Sequence, residues 1–314
     1  MKIAIFGTGG AGGYFGAQLA RSGEEVWFIA RGEHLQAIRE GGLHVETPEG
    51  EIVIHPAQAT DDPAEVGPVD AVILGVKTWQ LGETARALAP LLGPETFVVP
   101  LQNGVEAAAE LTAVLGRERV LGGLCGTISQ IIAPGRIRSL GTVHMVRFGE
   151  LDGKGREPSE RAERLRQAFV KAGVRADVPA DIEAAIWEKF LFVVSFGAVG
   201  AIARAPIGVL RTLPETRALL DRAAREILAV GRARGVALPD GILERTFAVM
   251  DSLDPKGTTS LQRDLAGGKP SELEAWSGAV VRLGREAGVP TALHEFAYHS
   301  LLPHELRARG RLTF

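Results

Sequence analysis

Lys2-Ile3-Ala4-Ile5-Phe6-Gly7-Thr8-Gly9-Gly10-Ala11-Gly12 is the stretch whose reading decides the fold. Residues 2–6 read as a short strand, apolar from Ile3. Gly7, Gly9 and Gly12 follow with the spacing G-x-G-x-x-G, and residues 14–22 look helical. The first glycine permits a tight turn, the second lets backbone approach a pyrophosphate, and the third lets helix pack on strand. The helix N-terminus adds free N–H groups and the positive end of a dipole. The spacing alone is weak. Placed directly after a strand-like N-terminus, with a second strand at 25–30, it reads as a dinucleotide-binding unit rather than a ligand-free turn.

The end of that second strand points to the dinucleotide. An NAD site usually places Asp or Glu there, about twenty residues after the glycines. Residues 26–30 contain no carboxylate, and Arg31 stands at the terminus. A guanidinium can hold a 2′-phosphate by a charge-assisted fork, which favours NADP (NADPH) over NAD.

Composition sets the outer limits. With 314 residues, 46% apolar and 23% charged, the chain has the make-up of a globular enzyme and room for two domains. A net charge of −3 argues against nucleic acid as a partner. The single cysteine, Cys125, allows no internal disulfide and fits a reducing, cytoplasmic setting. The N-terminus reads as the first strand of the fold, not a secretory signal. The longest apolar run, residues 190–203, is shorter than the ~20 residues of a membrane span. It reads as a buried helix, so no membrane association is expected.

Strand and helix alternate through the first 115 residues. A helix is expected over 33–40, a hairpin from 44–46 and 51–54, a strand over 70–76, a helix over 80–92, a strand over 96–101 and a helix over 105–115. This is the rhythm of a doubly wound parallel sheet. Strands at 120–132, 135–140 and 142–148 are expected to extend that sheet as antiparallel edges. A helix at 158–172 and a strand at 174–178 close this half. From Asp181 onward only helices are expected: 181–202, 214–234, 239–252, 270–287 and a last one from Thr291, with an irregular stretch at 253–269. The expected fold is α/β plus all-α: a Rossmann-type doubly wound dinucleotide-binding domain at 1–180 and a helical substrate domain at 181–314.

Ligands of open α/β sheets lie outside the carboxyl ends of the strands. That rule collects Gly7, Thr8, Gly9, Gly10, Ala11, Gly12, Arg31, Lys77 and Asn103 in one crevice. In the second half Lys189 is the odd residue. It shares a helix face with Ile182, Ile186, Val193, Gly197 and Gly200. A lysine in such a stripe must snorkel, pair with a carboxylate or shift its pKa. Glu272 falls in the first turn of the helix expected after Pro270. No metal site is expected, because His294, His299 and His304 are spaced by five, off the i, i+4 spacing. Cys125 has no hydrolase motif around it.

Taken together, these stretches resemble ketopantoate reductase (2-dehydropantoate 2-reductase) nearly end to end. The carriers are residues 2–12, Arg31, Val76-Lys77-Thr78-Trp79-Gln80, Gln102-Asn103-Gly104, Trp187-Glu188-Lys189-Phe190, and Ser260-x-x-x-Asp264 followed by Glu272. The resemblance implies NADPH-dependent reduction of a small 2-oxo acid in pantothenate biosynthesis. It implies Lys189 as proton donor, Glu272 near cofactor and lysine, and Ser260 on the substrate. It also implies Arg31, Lys77 and Asn103 on the cofactor, with Asn103 also within reach of substrate. The chain departs from the family pattern at Val193 and Gly197, where asparagines are usual one and two turns after the lysine. A further substrate-binding asparagine is replaced near Ile207. Ser195 and Arg204 are the nearby polar residues able to compensate. The alternatives are a reductase of another 2-oxo acid or imine on the same plan, and a non-catalytic NADP sensor. A sensor has no need of a lysine in an apolar stripe. The sequence leaves the oligomeric state open, a homodimer included.

Overall fold

A computed structural model describes residues 1–314, apart from the side chains of Thr142 and Val143. The chain packs as two compact units: residues 1–102 with 106–182, and residues 103–105 with 183–314.

The first unit runs β1 (Lys2–Phe6), α1 (Gly10–Arg21), β2 (Glu25–Ile29), α2 (Gly32–Gly41), β3 (Leu43–Thr47), β4 (Gly50–Ile54), β5 (Gln58–Thr60), β6 (Val69–Leu74), α3 (Leu81–Ala87), β7 (Leu92–Pro100), α4 (Ala107–Leu115), β8 (Leu121–Ala133), β9 (Arg136–Glu150), α5 (Glu160–Lys171) and β10 (Arg175–Asp177). Five strands form a parallel sheet in the order β5-β2-β1-β6-β7. Its central strand explains the continuous apolar run at the N-terminus. Ile3 and Ile5 point to one core with Phe15 and Phe28, while Ala4 and Phe6 point to the other with Val72 and Leu74. A parallel strand covered on both faces cannot alternate with polar residues.

The long hairpin β8–β9 departs from expectation. It does not extend the parallel sheet by strand pairing; an isolated Val98–Val120 bridge lies just before β8, and β8 packs against the end of β7. It builds a second sheet in the order β10-β9-β3-β4, with β8 on β9. The reason is a shared edge. Strand β3 pairs antiparallel with β4 and parallel with residues 136–138 of β9. The inward side chains Val45, Ile52, Ile137, Val146 and Phe148 then join one core with Phe15 and Leu19 of α1. Helix α1 is thus clothed by a sheet on each side. The helix expected over 80–92 is also shorter: α3 stops at Ala87 and a 3₁₀ turn, Ala89–Leu91, follows around Pro90.

The second unit is helical: α6 (Ile182–Ala203), α7 (Ile207–Thr212), α8 (Pro214–Ala233), α9 (Ile242–Ser252), α10 (Ser260–Ala266), a π-helical turn (Glu274–Gly278), α11 (Ala279–Glu286) and α12 (Ala292–Ala308). No strand follows β10 among the described residues. Helix α6 is long and apolar enough to cross a membrane by length and composition alone. However, 67% of its most apolar window is buried, and Trp187, Phe190, Leu191 and Val194 form the core with Ile227, Leu273 and Trp276.

Helix α10 lies inside the stretch expected to be irregular. Thr259 Oγ1 accepts from the Gln262 N–H at 3.3 Å, and Gln262 Oε1 accepts from the Thr259 N–H at 2.9 Å. This reciprocal capping box satisfies two helix-start donors and starts a helix between glycines. A second correction concerns Glu272. The helix expected from Pro270 begins only at Glu274, as a π turn, so Glu272 precedes it and is buried in the connecting segment.

Candidate active site

The glycine turn is held by its own backbone. Gly7 has φ +96°, and its N–H donates to the Ile29 carbonyl at 3.1 Å. Thr8 donates to the same carbonyl through its N–H at 3.2 Å and its Oγ1 at 3.1 Å. Its side chain is 3% exposed, so its hydroxyl fixes the turn rather than facing a ligand. The two inner glycines differ in kind. A Cβ on Gly12 would lie 2.2 Å from the Gly7 carbonyl oxygen, whereas one on Gly9 would meet nothing nearer than 3.8 Å. Gly12 therefore serves helix–strand packing, and Gly9 leaves open space above the turn. Helix α1 starts at Gly9 without a side-chain cap and with no acidic residue in its first turn. Open space, uncapped N–H groups and the positive dipole end suit a pyrophosphate.

The rest of this half lies on neighbouring strands. Arg31 follows β2 as the N-cap of α2; its guanidinium is 63% exposed and stands 3.5 Å from Glu83, itself 70% exposed. Lys77 follows β6; its N–H donates to Gln80 Oε1 at 3.1 Å, and its Nζ lies 5.8 Å from the Trp79 ring centroid. Since β2, β1 and β6 are adjacent, the glycine turn, Arg31 and Lys77 share one carboxyl edge of the sheet. Gln102 joins that edge, its Nε2 donating to the Leu74 and Val76 carbonyls at 3.1 and 2.9 Å. Its Oε1 is buried without a partner, an acceptor in want of a donor. These residues fit a dinucleotide, with an anion cradle, an exposed cation and a buried acceptor. Asn103 belongs instead to the second unit, where the following Val105 packs on the core.

In that unit, the Lys189 face of α6 is half-buried to buried along its length. Two turns beyond the lysine, a Cβ on Gly197 would lie 2.5 Å from the Trp276 ring and 3.5 Å from Thr259 Oγ1. This close approach packs three segments together: the helix of Lys189, the start of α10 with Ser260, and the turn that follows Glu272. A clamp fixes the last of them. Ser271 donates its N–H to the Glu305 carboxylate at 2.9 Å, and its Oγ donates to the same oxygen. Arg309 donates to Glu305 at 2.6 Å and to the Ser271 carbonyl at 3.1 Å.

The structure also places Ile207, one of the departures from the family pattern, and the two polar residues near them. Ile207 is wholly buried in a helix core. Ser195 is wholly buried and donates to the Leu191 carbonyl at 2.7 Å, so its hydroxyl is spent within its own helix. Arg204 is exposed at the end of α6 with φ +51°.

Sequence reasoning missed several supports. A Cβ on Gly75 would lie 2.6 Å from the Gly7 carbonyl oxygen, so this strand-end glycine lets the turn sit down on β6. Gly10 and Gly13 admit Ser129 and Ile137 of the second sheet, each 2.1 Å from a would-be Cβ. A glycine at a strand terminus was a readable signal; the Glu305 clamp, 34 residues from its target, had none.

The family described as "Ketopantoate reductase PanE/ApbA" matches residues 3–153, and its C-terminal counterpart matches residues 181–305. The 2-dehydropantoate 2-reductase of Mesorhizobium japonicum is 35% identical over 93% of this chain and 94% of its own. A crystal structure of a PanE/ApbA family ketopantoate reductase from Ralstonia eutropha superposes with a TM-score of 0.89 at 31% identity, covering 98% of this chain and 100% of that one. A D-mandelate dehydrogenase solved with NADH and anilino(oxo)acetate shares the fold, with a TM-score of 0.88 at 24% identity over 98% of this chain and 100% of that one.

Proposed function

The chain belongs to the ketopantoate reductase family of oxidoreductases acting on CH–OH groups, and from that premise we propose that it reduces 2-dehydropantoate to pantoate with NADPH. When bound, the reduced nicotinamide supplies a hydride to the ketone carbon. Arg31 marks NADPH: it stands exposed where an NAD site carries a carboxylate. Lys77 and Asn103 add contacts to the cofactor. Negative charge develops on the ketone oxygen, and Lys189 stabilises it and delivers the proton. Glu272, held by its clamped segment, orients the ammonium, and Ser260 bonds the substrate. The observation that carries this reading is Lys189 itself, a cation on an otherwise apolar helix face packed against the segments of Ser260 and Glu272.

A specific observation favours a second reading, reduction of a 2-oxo acid without a side-chain hydroxyl. Val193 and Gly197 offer no hydrogen bond, and the Trp276 indole, 1% exposed, fills the space a side chain at 197 would need. The test is kcat/KM with NADPH for ketopantoate and for 3,3-dimethyl-2-oxobutanoate, the same acid without its hydroxyl. Preference for ketopantoate by about tenfold or more supports the first reading, and the reverse order the second. No NADPH oxidation with either acid or a wider 2-oxo acid and imine panel would reject both and leave a sensor.

A further inference from the structure

We propose that His34 is a positioning residue for the dinucleotide turn, a neutral imidazole strut that sets the Thr8 carbonyl. This rests on the reading that the turn holds NADPH. His34 lies on α2, half-buried, and both ring nitrogens are engaged. The Gly135 N–H donates to Nδ1 at 3.0 Å, so Nδ1 carries no proton. Nε2 lies 2.8 Å from the Thr8 carbonyl oxygen, an acceptor only, so Nε2 must carry the proton and donate. Two backbone partners thus fix the tautomer.

The bridge joins two places the chain keeps far apart. Thr8 is the second residue of G-x-G-x-x-G, and Gly135 is the turn of the β8–β9 hairpin, 101 residues from His34. Gly135 is itself tied down: it has φ +71°, and its carbonyl accepts from the His44 N–H at 2.9 Å. The strut therefore rests on the second sheet. With its N–H and Oγ1 on the Ile29 carbonyl and its carbonyl on His34, every polar group of Thr8 is spoken for. The peptide that joins Thr8 to Gly9 is thereby set, and with it the N–H of Gly9 at the open mouth of the turn. Burial pushes the imidazole below its usual pKa, opposed by the Thr8 bond, in keeping with a neutral ring. The ring's hydrogen-bond partners, Thr8 and Gly135, both lie in the first unit with the glycine turn, so its removal should act on cofactor binding and spare the chemical step.

The test compares His34→Ala and His34→Gln with the wild type by NADPH dissociation constant, cofactor KM, kcat at saturating NADPH, and Tm. His34→Ala should raise the dissociation constant and KM for NADPH by about ten- to a hundredfold, with kcat within about twofold. His34→Gln should recover most of that loss, because its amide oxygen can accept from Gly135 while its amide nitrogen donates to Thr8. The ¹⁵N resonances of the wild-type ring should show an unprotonated Nδ1 and a protonated Nε2, which keeps the proposal open to refutation even where His34→Ala folds poorly. NADPH binding by His34→Ala within about twofold of wild type would overturn it, as would an unrescued His34→Gln or an Nδ1–H tautomer. Wild-type protein that binds no NADPH would remove the dinucleotide reading and the strut together.

Discussion

The glycine turn before α1 and the Lys189 face of α6 both depend on glycine, for opposite reasons. At the turn, Gly12 is small so that backbone can touch backbone, whereas Gly9 leaves open space above the turn. On α6, Gly197 is small so that another side chain, Trp276, can take the space. The first region works with main-chain groups, whose positions follow from local geometry. The second works with side chains, whose positions follow from which elements pack together. The same residue type thus leaves space open in one half and lets a neighbouring side chain fill it in the other.

The sharpest way to break the comparison is at Lys189. If the second region acts through a side chain, Lys189→Ala should lower kcat by about 10²–10⁴ and leave the NADPH dissociation constant nearly unchanged. Lys189→Arg should not restore the rate, because arginine keeps the charge without yielding the proton. Steady-state and single-turnover rates check this; a variant keeping most of the wild-type rate with hydride transfer limiting would make the lysine structural.

The next test separates the two inner glycines of the first region. Gly12→Ala puts a Cβ against the Gly7 carbonyl and should lower Tm by roughly 2–10 °C while abolishing tight NADPH binding. Gly9→Ala should leave Tm almost unchanged and weaken NADPH by about tenfold or more, a cost of ~1.4 kcal/mol or above. Matched calorimetry and titration decide it, and equal loss of Tm in both variants would erase the distinction.

At Arg31 the first region adds an exposed side-chain cation to its main-chain groups. Arg31→Ala should weaken NADPH by about ten- to a hundredfold and leave NADH nearly unaffected. Equal losses for both cofactors, read by fluorescence titration, would reject the 2′-phosphate assignment.

The smallest expected effect is in the core of the second region. His294 is fully buried, with burial holding its pKa down to about 4 against the bond to the Ala223 carbonyl. The unfolded chain binds a proton near the ordinary histidine value of about 6.5 that the folded chain refuses. Stability is therefore full above that value and is lost as pH falls toward 4, by on the order of 1–3 kcal/mol. His34 and His144 are lowered as well and slope the same way. Urea midpoints across that window check it: His294→Gln should flatten much of the slope, and an unchanged slope would discount the residue.

Much of this protein was determined by short-range pattern. The apolar run at residues 2–6, the glycine spacing, Arg31 at the end of β2, the β3–β4 hairpin, the helical second half and the Lys189 stripe all have signatures within a few residues or one helical repeat. The capping box of α10 was equally readable, in Thr259 and Gln262, yet the glycines around it masked it. The tertiary structure alone decided the rest. The β8–β9 hairpin formed a second sheet because β3 offered it an edge and α1 a core, and neither choice is written in the hairpin's own residues. Trp276 could be assigned to the space at Gly197 only once the π turn packed on α6. His34 reached Gly135, and Ser271 reached Glu305, across 101 and 34 residues. Sequence periodicity fixes which face of an element is buried; which distant partner covers that face depends on the free energy of packing the whole chain.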